Sequence, residues 1–371
     1  MSDQAHQAPQ SAAQNGWGAD LQLVFCERCD WQYLLPAGSQ LPRCPHCFQS
    51  QLAPLDRAEN SFGQPNYCPE LLLPYSASPQ AIDSAIRQFA EGIPYAPQGL
   101  DYATLRQRLY PVYLPMWLVD ANIDATWQAE AGFNYQVVSH QEQFDQNRGG
   151  WHTRQVTETR TRWEPRIGRL RRGYQNISAP ALEEAKALRA ALGDFDLSRP
   201  LAYQPEQLAR ASVRLPDRAQ QDAWSDAAAA FQQIGTNEVQ TACAADSMRQ
   251  FRWTATFTNR NWTLLLLPTY TTYYLDDENQ PQPVMLHGQT GRVTGARRAS
   301  MARAQRSSLI YLSIGLAIFL LGLIMGGFSM LIPPLAPLAI LAVVIGLPCS
   351  LAAIIPVTIV WNFNRQQTKG S

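Results

Sequence analysis

Lysine is almost missing from this chain. Of its 30 basic residues only Lys186 and Lys369 are lysines, and 30 acidic residues cancel the charge. A chain with no net charge has no global field to gather nucleic acid or anionic lipid. The first twenty residues, MSDQAHQAPQSAAQNGWGAD, have no basic start followed by an apolar run. They are not a secretory signal, and residues 1–20 are expected to be a disordered tail. Catalytic signatures are missing too. The five histidines, His6, His46, His140, His152 and His287, fall in no metalloprotease or other catalytic spacing. There is no phosphate loop, no dinucleotide fingerprint and no nucleophile elbow. Asp120 and Asp124 share one side of a strand pattern and read as a solvated face. The expectation is a protein that is not an enzyme.

Four of the seven cysteines lie within 27 residues, in VFCERCDWQYLLPAGSQLPRCPHCFQS. Cys26 and Cys29 form one C-x-x-C pair, Cys44 and Cys47 a second. Each such turn sets two thiolates on one side of a loop, and two turns complete a tetrahedron around Zn2+. The spacing predicts a zinc ribbon over 21–52 holding one structural zinc with no open coordination position. Two disulfides in a secreted module are the alternative, which the absent signal disfavours. His46 lies between two ligands and is not needed. Within 21–52 the charges are Glu27, Arg28, Asp30 and Arg43, so the ribbon has no basic cluster for nucleic acid. Trp31, Tyr33 and Phe48 form either its small core or a protein-docking surface. Cys68, Cys243 and Cys349 are scattered and read as packing residues.

The other end is apolar. Residues 307–332 carry no charge. At about 1.5 Å per residue that run can cross a hydrocarbon layer of about 30 Å. PPLAP interrupts it, and a second uncharged run, 336–361, follows. Gly346, Pro348 and Pro356 are expected to kink it, and Trp361 suits the headgroup interface. The pattern predicts a two-helix transmembrane hairpin. Arg292, Arg297, Arg298, Arg303 and Arg306 precede it, with a basic juxtamembrane segment at 301–306. Arg365 and Lys369 follow in a tail at 362–371, and the intervening loop has no charge. That asymmetry puts both termini in the cytoplasm. Gly322 and Gly326 form a G-x-x-x-G spacing, a candidate for close helix packing with the second span or with another protomer.

Between these ends, a linker is expected at 53–75 and one α+β domain on antiparallel sheet at 76–300. A helix at 79–91 has Ser78 as its cap, Pro79 in its first turn, Gly92 as its stop, and Ile82, Ile86 and Phe89 on one face. Further helices are expected at 180–192, 204–213 and 217–234, the last ended by Gly235. Strands surround them, with a turn at Asn259–Asn261 and a hairpin around Gly288–Gly291. In WHTRQVTETRTRWEP the threonines and the charges alternate, as on a strand with one polar side. Residues 148–172 hold Arg148, Arg154, Arg160, Arg162, Arg166, Arg169, Arg171 and Arg172 interleaved with Trp151 and Trp163. They read as a solvated or protein-facing surface. Arg160, Arg162, Arg169 and Arg171 are the candidates for contact with an anionic surface, lipid or nucleic acid.

These parts together resemble a family, the bacterial membrane proteins with a transcription-factor-IIB-type zinc ribbon. The likeness rests on the two C-x-x-C pairs, LLLPYSASPQAIDSAIRQFAEGIPYAPQGL, YPVYLPMWLVDANIDATW, LLLPTYTTYYLDDENQPQPVMLHGQTGRVTGARR and the terminal spans. Met116 stands where the family pattern has an aromatic. The resemblance implies a multi-pass protein of the bacterial inner membrane with no established enzyme activity. It also implies protein partners, among them flotillin-like (SPFH) and phage-shock proteins of envelope-stress systems. The expected function is a membrane-anchored scaffold or adaptor, able to form homo-oligomers. A membrane-tethered nucleic-acid or transcription-complex binder is the second reading.

Overall fold

The computed structural model describes residues 17, 20–55, 68–145, 150–208, 211–329 and 331–370. Most of the expected 1–20 tail, the middle of the expected linker and Arg148 lie outside these residues. In chain order the elements are β1 (Leu21–Phe25), β2 (Gln32–Pro36), β3 (Ala53–Pro54), β4 (Leu71–Leu72), α1 (Pro79–Ala90), α2 (Tyr102–Gln107), β5 (Tyr110–Asp145) and β6 (Gly150–Pro180). They continue with α3 (Ala185–Leu192), β7 (Leu201–Ala202), β8 (Ser212–Arg214), α4 (Gln220–Ala242), β9 (Ser247–Leu275), β10 (Pro281–His287) and β11 (Val293–Gly295). The chain ends in α5 (Met301–Phe328), α6 (Ala336–Leu351) and α7 (Ile355–Gly370). The architecture is α+β. It divides into two units, where the sequence suggests one domain over 76–300. Residues 116–185 and 216–265 make the second unit, and the remainder makes the first.

In the first unit the strand order is β11-β10-β9-β5-β8-β2-β1-β3. The sheet is mixed, which corrects the expectation of a purely antiparallel one. Strand β8 runs parallel to β5, pairing Ser212 with Val112 and Val213 with Tyr113. A parallel pair needs a long crossover, and the whole chain between β5 and β8 supplies it. Strand β8 also pairs β2, setting Arg214 against Tyr33 and Val213 against Leu34. The cysteine-bearing segment is therefore sheet edge rather than a separate bead. The expected linker is structured at both ends, where β3 pairs β1 and β4 pairs β7. Nor is the whole tail free, since Trp17 is buried and its carbonyl accepts from the Tyr203 hydroxyl at 2.9 Å.

Helix α1 follows its sequence signals. Ser78 Oγ accepts the Ala81 N–H at 3.1 Å, and Ile82, Ile86 and Phe89 are buried. They share a core with Leu105, Tyr274, Leu286, Ala299, Ala304 and Val360. That core includes the base of α5 and of α7. Asn364 fixes the same junction, accepting the Ala299 N–H at 2.8 Å and donating to the Ala299 carbonyl at 3.0 Å. The expected helix at 204–213 is only a 3-10 turn, Pro205–Leu208, because Ser212–Arg214 is taken by the sheet. Strands β10 and β11 form the expected hairpin, with Leu286 opposite Val293.

Helix α5 is followed by a second apolar stretch. That stretch has 3-10 turns at Pro333–Leu335 and Ala352–Ile354, the latter just before Pro356, so it bends as its prolines suggest. Only 11% and 17% of the most apolar windows of the two are buried, so neither is a core helix. Both are long and apolar enough to cross a membrane. The expected juxtamembrane segment and tail are helical, within α5 and α7.

In the second unit β5 and β6 form a long antiparallel ribbon, from Met116 opposite Pro180 to Asp145 opposite Gly150. A bulge interrupts it. Asn176 adopts φ 56°, and Asp120 Oδ1 accepts its N–H at 2.8 Å. Strand β9 lies beside β5. Asn259 does not turn the chain as expected. It sits inside β9 at φ 53°, a single left-handed residue that asparagine adopts readily. Gly235 does not end α4 either. A Cβ there would lie 3.0 Å from the Trp253 ring and 3.2 Å from Leu170, so glycine serves helix–sheet contact. The threonine-arginine alternation at 157–162 does not mark one covered face, because Thr157, Thr159, Thr161, Arg160 and Arg162 are all exposed.

Candidate metal centre

The chain builds two equivalent turns around the cysteines. In the first, Asp30 N–H donates to the Cys26 carbonyl at 2.9 Å, and Cys26 N–H to the Trp31 carbonyl at 3.0 Å. In the second, Phe48 N–H donates to the Cys44 carbonyl at 3.0 Å, and Cys44 N–H to the Ser50 carbonyl at 2.9 Å. Asp30 and Phe48, each one residue past the second cysteine of its pair, take φ 59° and 54°. Both turns thus curl back so that the two sulfurs of each pair point the same way.

The four sulfurs converge. All lie within 4.8 Å of one another, with Cys26 to Cys47 and Cys29 to Cys44 each at 3.6 Å. A tetrahedral ion with metal–sulfur bonds of about 2.3 Å sets sulfurs about 3.8 Å apart. A disulfide would need about 2.05 Å, and all four cysteines are free. The cluster can therefore hold a metal ion.

The surroundings divide the thiols, favouring the anion at Cys44 and the neutral thiol at Cys29 and Cys47. The Cys44 thiol is lowered to about 5, chiefly by its hydrogen bond with Cys29 and then by backbone N–H groups of Cys47 and His46. The Cys29 thiol is pushed up by the same hydrogen bond and by burial. Ser50 Oγ lies 3.0 Å from Cys26 Sγ, a hydroxyl able to hydrogen-bond a cluster sulfur that nothing in the cysteine spacing announces.

The aromatics around the cysteine pairs are used inside the chain. Trp31, Tyr33 and Phe48 are all buried. His46 stacks on Trp31 with ring centroids 3.7 Å apart, and the Arg214 guanidinium lies 4.5 Å from the Trp31 centroid. Phe48 stacks on Tyr273 of β9 at 4.7 Å, far along the chain from the cysteine pairs. None of the three is left to dock a partner.

The candidate arginines are ion-paired on the surface of the second unit. Arg160 meets Glu158 at 3.3 Å, Arg162 meets Glu164 at 2.8 Å, and both Arg169 and Arg171 meet Asp124. The convergence on Asp124 was hidden in the sequence, 45 residues upstream. Strand register makes it, setting Asp124 opposite Arg171 and two pairs away from Arg169 on the same face. Gly322 faces the second apolar helix, where a Cβ would lie 2.8 Å from the Val343 nitrogen. Gly326 faces Ala339 at an ordinary 3.9 Å.

His287 is a structural histidine in the HGQTG turn. Its ring is buried, stacks on Phe195 at 3.9 Å, and its Nδ1 accepts the Gln289 N–H at 3.1 Å. Nε2 then carries the proton and donates to the Asp194 carbonyl at 3.2 Å. Burial, with Arg292 nearby, holds its pKa below the ordinary value. The unfolded chain therefore takes up a proton that the folded one resists. This contribution is complete above about pH 6.5 and is lost as the pH falls below it, by at most about 1.4 kcal/mol per pH unit. Melting temperature should drop between pH 7 and 5, and drop less steeply in His287→Gln. Equal pH slopes would contradict the assignment.

Compared with protein-family models, with curated proteins and with solved structures, the chain has no match.

Proposed function

We propose that this protein is a membrane-anchored scaffold whose first unit is bolted to a transmembrane hairpin and stiffened by one structural zinc. Cys26, Cys29, Cys44 and Cys47 would hold the ion. Four thiolates leave no position for water or substrate, so the metal would shape the fold and do no chemistry. The observation that carries the reading is the shared core. Ala304 and Val360, at the bases of α5 and α7, pack with Ile86, Leu105 and Leu286. Asn364 brackets Ala299 with two hydrogen bonds, and Arg303 donates to the Ala96 carbonyl at 2.7 Å. An anchor joined in this way holds the sheet at a fixed attitude to the bilayer, unlike one tied by a flexible linker. Partners held by a fixed surface meet at raised effective concentration without catalysis.

The flanking arginines support a hairpin with both termini in the cytoplasm of a bacterial inner membrane, and a reduced thiolate site suits that compartment. The motif likeness to the transcription-factor-IIB-type ribbon membrane proteins favours protein partners, with flotillin-like and phage-shock proteins the first to test. The pairing of Arg160 and Arg162 with glutamates and the burial of Trp31, Tyr33 and Phe48 weigh against the nucleic-acid reading.

Two measurements test this. Reporters active only in the cytoplasm should work when fused before residue 21 and after Ser371, and fail in the Pro333–Pro337 loop. Affinity purification of the full chain in mild detergent should return the same membrane-associated proteins repeatedly, with nuclease treatment changing nothing. Termini on opposite faces would rule out the hairpin. Partners that vanish with nuclease would favour the nucleic-acid reading.

A further inference from the structure

The second unit has one covered and one open sheet face. Helix α4 covers the first. Trp224 meets Phe257 at 5.0 Å between ring centroids, and Phe231 meets Tyr174 at 5.9 Å. The open face carries a cleft of about 760 Å3. Its rows follow the two-residue period of three neighbouring strands: Asn122, Asp124 and Thr126 from β5, Arg169 and Arg171 from β6, and Thr254, Thr256 and Thr258 from β9.

We infer that this cleft binds a phosphoryl oxyanion, with Arg169 and Arg171 on one wall and the Thr254–Thr256–Thr258 hydroxyls on the other. One carboxylate serves two guanidiniums. Arg169 reaches Asp124 through Nε at 2.8 Å and Nη2 at 2.7 Å, and Arg171 through Nε at 3.1 Å and Nη2 at 2.9 Å. That arrangement leaves one positive charge unbalanced. It also fixes both forks while each keeps an Nη1 group for a ligand. Thr254, Thr256 and Thr258 are exposed and make no side-chain hydrogen bond among the described residues. Across three strands the two walls stand about 10 Å apart, a gap that arginine side chains can bridge to an anion. Donors from both sides suit an oxyanion with three terminal oxygens better than a carboxylate with two. Among the described residues no aromatic ring lines the cleft, so none of them would stack on a nucleobase or a sugar.

The shared chemistry is the phosphoryl group, whether free or on a lipid. Full-length protein in uncharged detergent would be titrated by calorimetry with inorganic phosphate and diphosphate at low salt. It would also be titrated in nanodiscs of phosphatidylcholine with and without phosphatidate. Heat that saturates with the soluble anions assigns a free ligand. Saturable binding confined to phosphatidate discs assigns a headgroup. Arg169→Gln with Arg171→Gln should weaken either by about tenfold or more, the effect of losing charge-assisted hydrogen bonds. Thr256→Val should weaken it several-fold, and Arg171→Lys, which keeps the charge but loses the fork, should weaken it as well. Arg160→Gln with Arg162→Gln, outside the cleft, should leave it unchanged. Because Arg171→Lys and Thr256→Val are mild, they keep the test open should the double variant fail to fold. Three results would overturn the inference: no binding of any of these probes, equal loss in the Arg160/Arg162 variant, or binding of DNA or RNA alone.

Discussion

Full-length protein purified under reducing conditions should carry about one zinc per chain, and Cys26→Ser combined with Cys44→Ser should carry none. The loss should be felt well beyond the ribbon. Structural zinc in small domains contributes about 10–16 kcal/mol of apparent binding free energy, and in such sites that energy is folding energy. Here the cysteine-bearing segment is not isolated. Strand β2 pairs β8, β8 pairs β5, and Phe48 stacks on Tyr273. Unfolding residues 21–54 therefore strips β2, one of its two partners, from β8 and uncovers Tyr273. Hydrogen exchange should show protection lost over β1, β2 and Ser212–Arg214, while α5 and α6 stay protected in lipid. Cys68→Ser and Cys243→Ser should retain the metal, since neither belongs to the cluster. Wild-type protein that holds no zinc, yet melts at the same temperature as the double variant, would remove the metal from the account.

The features legible in the sequence are those set by local chemistry. The C-x-x-C pairs, the Ser78 cap with Pro79, the glycine hairpin after His287 and the two apolar runs each depend on residues a few positions apart. The structure brings the four cysteines together, caps α1 with Ser78, forms the β10–β11 hairpin and makes the apolar runs helical. The misreadings have one cause, which is that partners distant in sequence changed the meaning of a local signal. Gly235 looks like a stop until Trp253 and Leu170 are seen against it. Asn259 looks like a turn until β9 is seen to run through it. Arg169 and Arg171 look like a bare positive stretch until strand register brings Asp124 between them. The division into two units was equally hidden. Strands β5 and β9 each contribute residues to both, so no linker composition marks the boundary.

Replacing a single contact glycine in the apolar helices should loosen the whole first unit. A Cβ on Gly315 would stand 2.5 Å from the Ser350 nitrogen, one on Gly322 2.8 Å from the Val343 nitrogen, and one on Gly346 2.5 Å from the Phe319 nitrogen. These neighbours are backbone, which cannot swing aside as a side chain can. Apolar helices in lipid gain little from hydrophobic burial and depend on such close approach. Gly346→Leu must therefore part α5 from α6. Overpacking of this kind costs about 1–3 kcal/mol. The strain should reach the soluble side, because Ala304 and Val360 of the same helical segments sit in the core with Ile86 and Leu105. Melting of the full chain in mild detergent should fall by several degrees in Gly346→Leu and in Gly315→Leu. Gly326→Ala should be neutral, since its nearest neighbour would be Ala339 at 3.9 Å, and Gly327→Ala meets nothing within 4 Å. The opposite pattern, with Gly326→Ala harmful and its effect dependent on protein concentration, would mean that the G-x-x-x-G spacing joins two protomers. Neutral behaviour of Gly346→Leu would mean that the two helices do not pack as a hairpin.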